Sequence, residues 1–127
     1  MEASGYRKFA LLALLIRNEQ NRPGSALFWD EPENSLNPEY IPKLVDILLE
    51  LVHTGVQVFL ATHSELLASY FAVNRSSNDA VTYFSLYKHD NQIKASKGDR
   101  FDLLVPNNLT SEPVKLYEKE TEKGLGG

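Results

Sequence analysis

The stretch that decides the fold is Ala26-Leu27-Phe28-Trp29-Asp30-Glu31-Pro32, a short apolar run that ends in two acids and a proline. The run begins at Ser25, directly after Pro23-Gly24, and stays apolar to Trp29. Such a short continuous run between turn residues is typical of a central parallel strand that is covered on both faces. A parallel strand needs a partner strand that is reached through a crossover connection.

Downstream residues supply that crossover and the partner strand. Asn37 and Pro38 close a polar loop and form a favourable N-cap and first-turn pair for a helix, while Pro42 predicts an irregular or delayed helix start. Val56 to Ala61 is a second β-rich run, and Thr62-His63-Ser64 follow it. Strand, helix and strand make a βαβ unit, which is parallel and right-handed in nearly all cases.

Further elements flank this unit on both sides. Residues Tyr6 to about Gln20 predict a helix with apolar residues at nearly every azimuth, so we expect it to need cover all round. Val81–Tyr87 and Gln92–Ser96 predict a hairpin, and a last helix is expected from Ser111 or Pro113 through Lys119. We expect a single α/β domain over residues 1–127.

Composition excludes several classes of protein. The 127 residues include 13 Lys and Arg, 17 Asp and Glu and no cysteine, with a net charge of −4. The absence of cysteine excludes disulfides, thiolate metal sites and a cysteine nucleophile, and favours a cytoplasmic setting. The basic residues are scattered, so nucleic-acid binding is not indicated for this chain and stays open only through a longer protein. The longest apolar run, Phe9 to Ile16, is far below the roughly 20 residues of a membrane span, so we expect no membrane partner.

Two polar clusters stand at the ends of the two predicted parallel strands. Asp30 and Glu31 end the first strand, and His63 follows the second, so the βαβ geometry places all three at one rim of the sheet. Magnesium-nucleotide chemistry needs one hard oxygen ligand for the metal and a second carboxylate that orients or deprotonates water. A histidine beside them can donate a hydrogen bond to a terminal phosphate.

These residues resemble the motifs of ABC-type ATPases in the P-loop NTPase superfamily. The stretch from Ala26 to Pro32 resembles the Walker B strand, Glu33 to Pro38 is similar to the D-loop, and Ala61 to Ser64 resembles the switch-histidine loop. Upstream, Ala3 to Lys8 resembles the signature motif, although Tyr6 and Arg7 replace its second glycine and its glutamine. The likeness is nearest to soluble ATPases related to chromosome-maintenance and overcoming-lysogenization-defect proteins.

The resemblance implies a three-layer ABC-ATPase-like fold with a parallel βαβ core and additional C-terminal strands. It assigns Glu31 and His63 as catalytic residues and Asp30 as the magnesium ligand. It also implies nucleotide contacts, in part across a head-to-tail dimer, for a second group of residues: Ser4, Gly5, Ser35 and Asn37. Asn37 departs from the aspartate that transporters carry in the D-loop.

One ATPase motif is absent from the sequence. No Gly-x-x-x-x-Gly-Lys-Ser/Thr segment occurs, and none of the seven glycines is followed by lysine. Without that loop, the phosphates lose their backbone cradle, their lysine and a magnesium-binding hydroxyl. We therefore expect the C-terminal half of an ATPase domain that needs a Walker A half for ATP and Mg²⁺ binding and is inactive alone.

Two other functions stay open at this point. The chain could be a non-catalytic module that associates with itself, or with the missing half, through its exposed apolar helix. It could also be a metal-dependent hydrolase that uses a set of four polar residues: Asp30, Glu31, Glu33 and His63. The half-ATPase and the interaction module differ in one test, because only the half-ATPase should bind ATP once a Walker A half is added. Divalent-metal uptake by the chain alone would indicate the hydrolase.

Overall fold

The computed structural model describes residues 7–12, 14 and 22–125, which fall into two compact units, Met1–Ser77 and Asn78–Gly127. The expectation of one domain over residues 1–127 stays a prediction. The first unit contains helical residues at 7–12 and 14, followed by β1 (Ala26–Asp30), a 3-10 turn (Pro38–Tyr40), α1 (Ile41–His53), β2 (Gln57–Ala61) and α2 (Glu65–Asn74). The second contains β3 (Tyr83–His89), β4 (Gln92–Gly98), a 3-10 turn (Phe101–Leu103) and α3 (Asn108–Leu125).

The predicted βαβ unit is confirmed. Strands β1 and β2 pair in parallel, in a register that runs from Ala26 opposite Gln57 to Asp30 opposite Ala61. The connection is tied at its base, where the Gly24 amide donates to the Gly55 carbonyl at 2.9 Å. Gly55 has a φ of 96°, and a Cβ there would lie 3.0 Å from the Cβ of Pro23. Glycine is therefore required where the chain leaves α1 and enters β2.

The entry to α1 has the irregular first turn that its prolines predict. Asn37 caps a 3-10 turn, because its side-chain oxygen accepts a hydrogen bond from the Glu39 amide at 3.2 Å. The α-helix proper begins only at Ile41, with Pro42 in its first turn, where a missing N–H costs nothing.

The core of the first unit lies between α1 and one face of the β1–β2 sheet. Leu44, Val45 and Leu48 of α1 are each 0% exposed, as is Leu67 of α2. The sheet residues that pack against this core alternate along the strands, as the pleat requires: Leu27, Trp29, Val58 and Leu60. Trp29 therefore lines the core, as the sequence predicts.

The opposite face of the sheet is open, which corrects the expectation that β1 is covered on both faces. Phe28 is 73% exposed and Phe59 is 42% exposed, and their rings stack with centroids 4.7 Å apart. Within the first unit, the described core residues of α1 and α2 lie on the other face of the sheet, so a three-layer arrangement stays a prediction. The two stacked phenylalanine rings form an exposed apolar patch on this face.

The N-terminal helical residues are buried on one side. Leu12 is 0% exposed and belongs to the core, whereas Leu11 is 51% and Leu14 is 61% exposed. The sequence predicts that this helix is buried on all sides. Among residues 7–12 and 14, the structure buries one side only. The rest of the predicted helix lies outside the described residues.

The second unit is built on the predicted hairpin. Strands β3 and β4 pair antiparallel, from Tyr83 opposite Gly98 to His89 opposite Gln92. Asp90 and Asn91 form the two-residue turn with φ values of 49° and 59°, which suits the right-handed twist of the strands. Strand β3 starts two residues later than predicted and continues to His89, because the tight turn needs only two residues. At the end away from the turn, β4 continues two residues beyond its predicted end, to Gly98, which pairs with Tyr83.

Helix α3 starts earlier and ends later than predicted. Asn107 caps it, since its side-chain oxygen accepts a hydrogen bond from the Leu109 amide at 3.2 Å, and Pro113 lies inside the helix instead of starting it. None of the helices in the described parts of the chain is long and apolar enough to cross a membrane.

Adjacent leucines on α2 test the packing of the first unit. Leu67→Ala should lower the free energy of unfolding by about 2–5 kcal/mol, because Leu67 is 0% exposed and its removal leaves a cavity. Leu66→Ala, at a position that is 42% exposed, is the matched control and should cost less than about 1 kcal/mol. Urea unfolding followed by the fluorescence of Trp29 measures both. Equal losses for the two variants would contradict this packing.

Candidate functional site

The acid pair and the histidine meet at one rim of the parallel sheet, as their sequence positions predict. The Glu31 amide donates to the Ala61 carbonyl at 2.8 Å and so extends the strand pairing by one residue. That bond holds Glu31 beside the residues that follow β2. As a result, the His63 Nε2 atom lies 3.9 Å from the Glu31 Oε1 atom.

Glu31 has a strained backbone. Its φ of 50° lies in the left-handed region, which costs a residue with a Cβ roughly 1–2 kcal/mol. The side chain of Glu31 is 44% exposed and that of His63 is 89% exposed, so both can be reached from solvent. Strain of this kind is common where a side chain must be aimed for function.

Asp30 is the last residue of β1 and is exposed. Strand alternation puts it on the same open face as Phe28, one residue from the Glu31–His63 pair. A solvent-facing carboxylate in this position suits Mg²⁺, which keeps several waters and takes only one or two carboxylates from a protein. Within the described ranges, no group of three or more His, Asp or Glu side chains could hold a metal ion.

The loop after β1 is braced from the histidine side. The Thr62 hydroxyl donates to the Glu33 carboxylate and also accepts a hydrogen bond from the Ser64 amide at 2.9 Å. Ser64 in turn caps α2, because its hydroxyl accepts from the Leu67 amide at 3.1 Å. The loop that carries Glu31 and the loop that carries His63 are therefore joined by side chains as well as by the strand ends.

Lys8 braces the same loop from the N-terminal helix. Its ammonium donates to the Pro32 carbonyl at 2.9 Å and to the Asn34 carbonyl. Burial lowers the pKa of Lys8, and the nearby carboxylates of Glu33 and Glu31 oppose that change. One oxygen of Glu33, Oε2, is buried with no hydrogen-bond partner in the described structure. The positive charge of Lys8 thus compensates a carboxylate that is only half satisfied by Thr62.

The other predicted nucleotide contacts are less centrally placed. Ser35 is exposed with a φ of 61°, and Asn37 is exposed and caps the following turn. Ser4 and Gly5 lie outside the described residues. Lys8 was missed as a bracing residue, because its contacts reach the backbone 24 and 26 positions away and no local pattern signals them.

A parallel βαβ unit with an acid pair and a histidine at its strand ends is compatible with part of a P-loop NTPase fold. Residues 2–69 match the family described as "AAA domain, putative AbiEii toxin, Type IV TA system". The match covers more than half of the chain, and the protein therefore belongs to this family of AAA domains.

A curated relative extends the comparison beyond the matched domain. The chain is 28% identical over 119 residues to the Old nuclease of Escherichia phage P2, an alignment that covers 85% of this chain. The same alignment covers 20% of the phage protein, so the chain spans about one fifth of that relative's length. This likeness agrees with the resemblance to overcoming-lysogenization-defect ATPases at the level of the ATPase-like domain.

Removing the Lys8 ammonium tests the brace. Lys8→Met should speed hydrogen exchange at the amides of Asn34 and Leu36, which donate within the braced loop at 3.0 Å each. Lys8→Arg keeps a cation with several donors and should restore part of the protection. Lys43→Met, at an exposed position of α1, is the control and should leave this loop unchanged. Unaltered exchange in Lys8→Met would show that the loop holds its shape without the lysine.

Proposed function

We propose that this chain supplies the hydrolytic rim of an ABC-type ATPase domain and acts together with a separate Walker A half. The observation that carries the proposal is the placement of Glu31 beside His63 at the ends of two parallel strands, with 3.9 Å between Oε1 and Nε2. That distance is longer than a hydrogen bond, so the two side chains do not use their hydrogen-bonding atoms on each other. Each can engage a further group from the substrate side.

In this proposal Glu31 is the general base. Its carboxylate orients the attacking water and accepts a proton from it, while His63 donates a hydrogen bond to an oxygen of the terminal phosphate. Asp30 would hold Mg²⁺, which neutralises charge on the phosphate oxygens when it is bound. The brace formed by Lys8, Glu33 and Thr62 keeps the loop of Glu31 against the loop of His63.

The open sheet face supports a second half. Phe28 and Phe59 present stacked rings to solvent on the face that carries Asp30, where a covering layer would bury apolar area. Burial contributes about 25 cal/mol per Å² of apolar surface, which favours association with a matching element. Nucleotide contacts across a head-to-tail dimer through Ser4, Gly5, Ser35 and Asn37 belong to this proposal. Nucleic acid enters only as a partner of a longer protein.

A non-catalytic interaction module is the second candidate, and the same open face favours it. In that case the exposed phenylalanines would bind a partner without any nucleotide. The two candidates differ in one property, because only the ATPase gains magnesium-dependent ATP binding when a Walker A half is added.

Titration with ATP tests the need for a second half. We expect the chain alone to bind Mg²⁺-ATP very weakly, because the phosphate cradle is missing from its sequence. Calorimetry should detect binding only after a P-loop-containing half is added or co-expressed. A micromolar dissociation constant for the unpartnered chain would contradict the split-domain proposal, and tight association with no ATP binding would favour the module.

Glu31→Gln tests the general base in the reconstituted protein. The change should lower kcat about 10²–10⁴-fold, since the amide cannot accept the proton, and should leave ATP binding nearly unchanged. Glu39→Gln removes the same charge from an exposed position in the following turn and should retain activity. Equal kcat for Glu31→Gln and the unmodified chain would exclude Glu31 as the base.

A further inference from the structure

The hairpin of the second unit has one face that its own unit leaves uncovered. The exposed fractions of Phe84, Leu86 and Ile93 are 64%, 67% and 79%. The strand register adds Lys97 opposite Phe84 and Lys88 opposite Ile93. These residues, with Ala95 opposite Leu86, are the hairpin face, an apolar centre with one lysine at each of two diagonal corners and no acid among its six members.

The other face of the hairpin is already occupied by the unit's own residues. The ring of Tyr83 lies 5.7 Å from that of Phe101, and the Ser85 hydroxyl donates to the Pro106 carbonyl at 2.6 Å. The apolar residues of the hairpin face therefore have no role in the core of their own unit.

Helix α3 carries an exposed apolar stripe with the opposite charge at its edges. Val114 is 55% and Tyr117 is 70% exposed, and with Thr121 they follow the spacing of one helix side. Glu118 lies one turn after Val114, and Glu120 lies one turn after Tyr117, so the two carboxylates flank this α3 stripe. The lysines of the helix repeat every four residues on the opposite side: Lys115, Lys119 and Lys123.

We propose that the α3 stripe of one copy packs on the hairpin face of a second copy, and that the α3 stripe of the second copy packs on the hairpin face of the first. Apolar residues at both centres would be removed from water, while Glu118 and Glu120 would meet Lys88 and Lys97. Pairing of two hairpin faces with each other is less favourable, because both faces carry only lysine charges and these would repel. A reciprocal exchange gives a closed two-fold dimer with two identical contacts.

The charges in this arrangement set the orientation more than the affinity. Exposed ion pairs contribute little net stability, whereas the wrong pairing of like charges is penalised. Substitutions that exchange the charges should therefore change which copies pair, and the apolar centres should continue to supply the affinity.

Charge exchange provides the test, with light scattering after size-exclusion chromatography as the readout. The unmodified chain should show a concentration-dependent dimer. The hairpin variant K88E/K97E and the helix variant E118K/E120K should each weaken the homodimer at least tenfold. An equimolar mixture of the two should form a heterodimer, because both of its contacts join opposite charges. The chain that carries all four substitutions should dimerise again.

Controls separate this interface from a general effect of charge. K119E/K123E introduces the same charge change on the far side of α3 and should leave the dimer intact. Leu86→Ser removes an exposed apolar group from the hairpin face and should weaken the dimer, with circular dichroism confirming that the fold is retained. A monomeric unmodified chain, or a mixture of the two charge variants that stays monomeric, would overturn the proposal. So would a dimer that is insensitive to the charge reversals.

Discussion

The parallel pairing of β1 with β2 is the constraint on which the rim depends. The register sets Asp30 opposite Ala61, and one further hydrogen bond, from the Glu31 amide to the Ala61 carbonyl, carries the alignment into the loops. A slip of one residue would move one strand end by about 3.3 Å and reverse the faces of its side chains. The acid pair and the histidine would then be separated, and Trp29 would leave the core. Fold and site are thus fixed by the same hydrogen bonds.

The βαβ unit and the position of its polar rim could be predicted from the sequence, because both depend on local patterns. Apolar runs that end at Asp30 and before Thr62 mark the strand ends. Parallel topology then places both ends at the same edge of the sheet. Lys8 could not be found in this way, since its acceptors are backbone carbonyls in a distant loop. The open face could not be predicted either, because the apolar pattern of β1 is the same whether Phe28 lies under a covering layer or in solvent.

The two units use apolar exposure differently. In the first unit the exposed rings of Phe28 and Phe59 lie beside Asp30, so a covering element would also stand next to the polar rim. In the second unit the exposed residues of β3 and β4 lie between lysines, and those of α3 between glutamates. The phenylalanine surface of the first unit is bordered by the polar residues of the rim. The hairpin face and the α3 stripe of the second unit are bordered by opposite charges.

The left-handed backbone at Glu31 gives the acid pair a cost in stability. A glycine or an asparagine would adopt this φ at lower cost, so either residue in place of Glu31 would relieve the backbone strain and stabilise the loop. The aim of the Glu31 carboxylate and the stability of its loop therefore make opposing demands on the residue at position 31.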